Sequence, residues 1–99
     1  VNDRQLLRIV GKNIQKARMQ AGLTQECLAE LSGVHWKTLS GVERGLFPVG
    51  LATFIRIAQH LNVSVDSLAN GVEQPDPKRS NAIRKALARR RHPRNPTGK

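Results

Sequence analysis

The segment from Leu23 to Gly45 constrains this chain most, because a helix cap, an apolar run, a glycine and a second apolar run follow one another within it. Thr24 stands where a helix can begin, and its hydroxyl is suited to accept the unpaired backbone N–H groups of a first turn. Leu28 and Leu31 recur at helical spacing on one face, and Ala29 is small enough to let a crossing helix come close. Gly33 ends that run and suits the left-handed conformation that closes a helix without a Cβ clash. Val34 then plugs the corner. From His35 to Arg44, Leu39 and Val42 are inward, whereas Trp36, Lys37, Ser40, Gly41 and Arg44 fall on other faces and Gly45 stops the helix. Two short helices joined by a tight turn in a small basic protein have the layout of a helix-turn-helix, which points to DNA.

The rest of the chain reads as more helix. Asp3 is placed to cap a first helix running to about Ala21, with Leu7, Val10, Ile14 and Ala17 inward and Gly22 ending it. After a loop from Leu46 to Gly50, Leu51, Phe54, Ile57, Ala58 and Leu61 stripe a fourth helix. Ser64 caps a short fifth from Val65 to Ala69, stopped by Asn70-Gly71. No strand pattern and no internal repeat is present, so the expected fold is all-α, five helices followed by a basic C-terminal extension. Ninety-nine residues allow one domain, and with three aromatic residues (Trp36, Phe47 and Phe54) its core must be mostly aliphatic.

The net charge of +10 is unevenly placed: residues 1–74 hold eight basic side chains against six acidic ones, and residues 75–99 nine against one. Pro75-Asp76-Pro77 marks the boundary, since two prolines break helix and few apolar residues follow. The chain therefore divides into a helix-turn-helix domain, 1–74, and a basic tail, 75–99, flexible or partly helical. Within the tail, Ser80 to Arg91 has the makings of a helix with Ile83 and Leu87 at i, i+4, and His92-Pro93-Arg94-Asn95-Pro96 reads as irregular. Several readings of the tail stay open: phosphate or minor-groove contacts, a helix that docks a protein partner, an RNA-binding segment, or a solvated extension.

Other classes fit poorly. A single cysteine, Cys27, leaves no disulfide framework and suits a reducing compartment. No apolar run approaches a membrane span and the N-terminus lacks a secretion signal, so a cytoplasmic place, at a bacterial nucleoid or in a phage-infected host, is expected. Catalysis is not expected: His35, His60 and His92 lie far apart, Cys27 has no histidine at metal-ligand spacing, and no glycine-rich phosphate loop is present. No metal and no cofactor are anticipated.

Thr24-Gln25-Glu26-Cys27-Leu28-Ala29, Gly33-Val34 and Glu43-Arg44-Gly45 stand in an order and spacing that resembles the helix-turn-helix domain of the phage lambda and 434 repressor and Cro proteins and their bacterial relatives. The likeness extends from Asn13 to Asn70, including Val63-Ser64-Val65-Asp66-Ser67-Leu68, and does not cover the tail. It implies a buried ion pair between Arg18 on the first helix and Glu43 on the third. It also implies that the start of the third helix reads bases, which by position assigns Trp36, Lys37, Ser40 and Gly41. Lys37 suits guanine O6 or N7, Ser40 either a donor or an acceptor role, and Trp36 a thymine methyl or the sugar-phosphate edge; a core tryptophan is the alternative for Trp36. Gly41 departs from the family's habit of a polar reader: either the backbone approaches DNA closely there or that base pair goes unread. Gln25 matches the family's phosphate ligand at a helix start, and Thr38 and Arg44 are further phosphate candidates.

The function expected is a sequence-specific double-stranded DNA-binding transcriptional regulator, a repressor that binds an inverted-repeat operator as a homodimer. Val63, Val65, Leu68 and Val72 are the candidate dimer contacts, although core burial also explains them. Two rivals stand beside it: an antitoxin that represses its own operon and docks a toxin, and an adaptor that binds protein or RNA through the tail.

Overall fold

The computed structural model describes residues 2–72 and 76–90 of the chain. These form six helices, α1 (Asp3–Gln20), α2 (Gln25–Ser32), α3 (Trp36–Glu43), α4 (Leu51–Leu61), α5 (Val65–Leu68) and α6 (Pro77–Arg90). The described residues contain no strand. The all-α expectation holds, with one helix more than the five expected.

Local chemistry sets the helix ends. α1 is capped by Asn2 rather than Asp3: the Asn2 side chain accepts from the Gln5 N–H at 2.8 Å, and the Gln5 side chain accepts from the Asn2 N–H at 3.0 Å. Such a reciprocal box satisfies two orphan donors, and Asp3 becomes the first-turn acid that complements the helix dipole. Thr24 caps α2 as expected, accepting from the Cys27 N–H at 3.0 Å. Gly33 closes that helix in the left-handed region at φ 74°. Ser64 caps α5 by accepting from the Ser67 N–H.

Ile14 of α1, Leu28 and Ala29 of α2, Leu39 and Val42 of α3, Ile57, Ala58 and Leu61 of α4, and Leu68 of α5 make one buried core, with Val10, Ala17, Val34 and Phe54 packed on it. Three expected inward positions are outside this core: Leu7 is half-buried without packing on it, and two others are open to solvent. Leu31 is 44% exposed, because α2 buries the row of Leu28, Ala29 and Ser32 instead; Leu51, at the first turn of α4, is 74% exposed, beyond the edge of the core.

Two contacts tie α1 to the rest. Gly11 is buried where α1 crosses the last turn of α3, and a Cβ there would collide with the Val42 carbonyl oxygen and stand 2.8 Å from that of Glu43. The two backbones meet because position 11 has no side chain. On the same helix, the Asn13 amide donates to the Leu68 and Asn70 carbonyls at 2.9 and 2.7 Å, strapping the end of α5 to α1.

The composition boundary is not a helix breaker at Pro77. Pro77 is the first residue of α6, where its missing N–H would be unpaired in any case. Asp76 precedes it and accepts from the Lys78 N–H through its carboxylate, at 3.0 Å, and from the Ser80 N–H through its carbonyl, at 2.9 Å. α6 thus starts three residues earlier than the sequence suggested. Ile83 and Leu87 lie on it half-exposed, and Lys78, Arg79, Arg84, Lys85 and Arg89 are all exposed. The Pro75 boundary position and the His92–Pro96 stretch expected to be irregular lie outside the described residues.

Candidate nucleic-acid interface

The α2-turn-α3 unit is held from behind by charge. Arg18 sends its Nε to Glu43 Oε2 at 2.7 Å and one terminal nitrogen to Oε1 at 3.1 Å, a two-pronged pair, and its other terminal nitrogen to the Leu23 carbonyl at 2.7 Å. The Glu43 side chain is 1% exposed and that of Arg18 11%. A planar guanidinium fork suits this geometry, and burial without it would leave either charge stranded. The expected pair is therefore in place. Gln25 joins it, donating Nε2 to Glu43 Oε1 at 2.9 Å. An amide nitrogen carries two hydrogens, so half-buried Gln25 keeps a second donor at the start of α2.

The start of α3 faces solvent. His35 is the N-cap, and its Nδ1 accepts from the Lys37 N–H at 3.1 Å, which requires that nitrogen to be unprotonated. The His35 and Trp36 rings stack with centroids 5.9 Å apart, and the Lys37 ammonium lies over the Trp36 ring at 5.9 Å. Trp36 is 44% exposed, which removes the core-tryptophan alternative. Lys37, Thr38 and Arg44 are exposed and Ser40 is half-buried. Thr38 borders a shallow cleft with Pro48, Gly50 and Thr53, and the Arg44 Nε reaches back to the Ser40 carbonyl at 3.3 Å.

Gly41 does not fit its assignment. It is buried, and a Cβ there would run into Cε2 and Cδ2 of Phe47 and stand 2.9 Å from Cζ. At position 41 the ring of Phe47 occupies the space a side chain would take, a neighbour that neither reading of the sequence named. The backbone there is covered by that ring. Sequence reasoning also missed His35, although it directly precedes the first helical residue, and Phe47, whose only signal was a mid-helix glycine six residues before an aromatic.

The dimer candidates separate. Leu68 is 1% exposed and belongs to the core; Val63 packs against that core and Val72 is half-buried. Of the four only Val65, 43% exposed, offers an open apolar surface.

A compact helical domain that braces a turn-linked helix pair from behind and presents the start of its second helix to solvent defines a DNA-binding transcription regulator of the helix-turn-helix class. A helix-turn-helix family profile matches residues 14–68. The chain is 42% identical over 60 residues to control protein C.SmaI of Serratia marcescens, across 61% of this chain and 71% of that one. Its fold is similar to that of the restriction-modification controller protein C.AhdI from Aeromonas hydrophila, with TM-score 0.60 and 35% identity over 63% of this chain and 94% of the other. It is also similar to the clp gene regulator ClgR from Corynebacterium glutamicum, with TM-score 0.64 and 29% identity over 85% and 87% of the two chains. The chain belongs to the Cro/C1-type helix-turn-helix family. No described helix is long and apolar enough to cross a membrane.

Proposed function

We propose that this chain is a sequence-specific regulator of transcription that binds an inverted-repeat operator as a homodimer and represses from it, working in the cytoplasm at the DNA it controls. The observation that carries this reading is the exposed His35-Trp36-Lys37 start of α3 on a helix fixed from behind by Arg18, Glu43 and Gln25. In the major groove Lys37 donates to guanine O6 or N7, Ser40 contacts a base edge through its hydroxyl, and Trp36 packs on a thymine methyl or the sugar-phosphate edge. The free donor of Gln25, the Thr38 hydroxyl and the Arg44 guanidinium hold phosphates and set the register. Val65 on α5 and Ile55 on α4, both exposed, make the contact between copies.

The likeness to C.SmaI and C.AhdI supports a narrower reading, in which the chain controls the genes of a restriction-modification system. The tail acts as an electrostatic aid: α6 carries six basic residues and no acidic one, and each phosphate it neutralises releases counterions. Selection from random duplexes at about physiological salt tests the main reading. An enriched inverted repeat with half-site centres about 34 Å apart is expected, with occupancy that silences a reporter placed behind it. Salt-sensitive binding with no enriched sequence overturns it in favour of an adaptor that works through the tail.

A further inference from the structure

With about 100° of rotation per residue, Lys37, Gly41 and Arg44 centre on the side of α3 opposite Leu39 and Val42. Gly41 therefore sits on the outward face of the helix, yet it is buried, and what covers it is the Phe47 ring. Lys37 and Gly41 lie four residues apart on one row, so the ring continues the Lys37 row by one turn. The loop that brings it there is anchored, since the Leu46 N–H donates to the Gly41 carbonyl at 2.9 Å. Gly45 makes the reversal at φ 74°. Phe47 itself is 46% exposed, so one side of the ring seals the helix backbone and the other faces outward.

We propose that Phe47 is a specificity-determining residue that stands in for the missing side chain at position 41 and recognises a thymine C5-methyl group through its outward ring face. The proposal rests on the DNA-reading role of α3 given above. A phenylalanine ring offers no hydrogen bond, so among the features of the major groove it matches the apolar thymine methyl and disfavours an unpaired donor or acceptor in its place. Lys37 and Phe47 then read neighbouring base pairs by different chemistry, a hydrogen bond and an apolar contact. Position 47 lies outside the helix, where a reading residue is not sought by counting along α3.

Duplex selection is run in parallel on the full chain, on Phe47→Ala, on Phe47→Leu and on Lys37→Ala. The wild type is expected to enrich a thymine in each half-site next to the base pair whose preference Lys37→Ala relaxes. Phe47→Ala loses that thymine preference alone, and Phe47→Leu keeps part of it. Deoxyuridine replaces each thymine of the selected site in turn, a change that removes one methyl and needs no variant to fold. At the recognised position wild-type affinity falls roughly fourfold per methyl removed, whereas Phe47→Ala is insensitive. If deoxyuridine changes wild-type affinity at no position, or Phe47→Ala enriches the same site with the same weights, the proposal is overturned and the regulator reading stands. Equal weakening of all duplexes by Phe47→Ala assigns the ring to the sugar-phosphate edge and also overturns it. If the wild type enriches nothing, both readings fall together.

Discussion

Replacing Glu43 by alanine removes the acceptor of three hydrogen bonds, two from Arg18 and one from Gln25. It leaves a guanidinium that is 11% exposed with the Leu23 carbonyl as its remaining partner. An uncompensated charge in that setting costs about 3 to 5 kcal/mol. A domain of roughly 70 residues has a stability of about 4 to 10 kcal/mol, so the variant is expected to lose at least about three-tenths of it. At about 3 kcal/mol the melting temperature should fall by about 12 °C or more, taking at least 4 °C per kcal/mol at this size. Urea unfolding followed by far-UV circular dichroism measures the loss. The double variant Arg18→Met, Glu43→Leu, which removes both charges and fills their volume, is expected to return to within about 1 kcal/mol of the native protein. A loss below about 1 kcal/mol for Glu43→Ala, the value of a solvated pair, would refute the assignment of this cluster as the brace behind α3.

Gly11→Ala should destabilise by about 1 to 3 kcal/mol through overpacking, although alanine favours helix by about 1 kcal/mol; a raised melting temperature would contradict backbone contact between α1 and α3. Asn13→Ala removes two bonds worth about 1 kcal/mol each, and faster amide exchange confined to α5 is the expected signature. His35→Ala removes the cap of α3 at a cost of about 1 kcal/mol, read by loss of protection at the Lys37 amide. Ending the chain after residue 76 should leave the selected DNA sequence unchanged and make the dependence of log K on log salt shallower, by about 0.9 for each phosphate that the tail neutralises; an unchanged slope would take the tail off the DNA.

What was legible in the sequence was what short-range chemistry decides. Thr24, Gly33 and Ser64 terminate helices by contacts within a turn, and their residue types declare it. Apolar spacing was less reliable in short helices: over the eight residues of α2, Leu28 pairs equally well with Leu31 or with Ser32, and only the helices packed on it choose. Asn2 and Asp3 suit a cap equally by residue type, and the partner Gln5 decides between them. The Arg18–Glu43 pair, 25 residues apart, came from family likeness, since nothing local announces it. Gly11 and Gly41 were opaque for a different reason. Each is defined by what another segment places against it, the carbonyls of α3 in one case and the Phe47 ring in the other. Pro77 is ambiguous in the sequence because a proline breaks a helix from within and starts one from its edge, and composition alone does not tell which.

Half of α3 is closed to change. Of its eight residues, Leu39, Gly41, Val42 and Glu43 are buried, by the core, the Phe47 ring and the Arg18 fork. A lineage that drifts in sequence can therefore vary Trp36, Lys37, Thr38 and Ser40 one at a time, whereas any side chain at position 41 requires the ring of Phe47 to swing aside or be replaced. Changing position 41 first displaces the ring, and changing position 47 first uncovers the helix backbone, so the two positions are coupled. Duplicated copies of such a regulator therefore have more freedom to part ways at the start of α3 than in its middle.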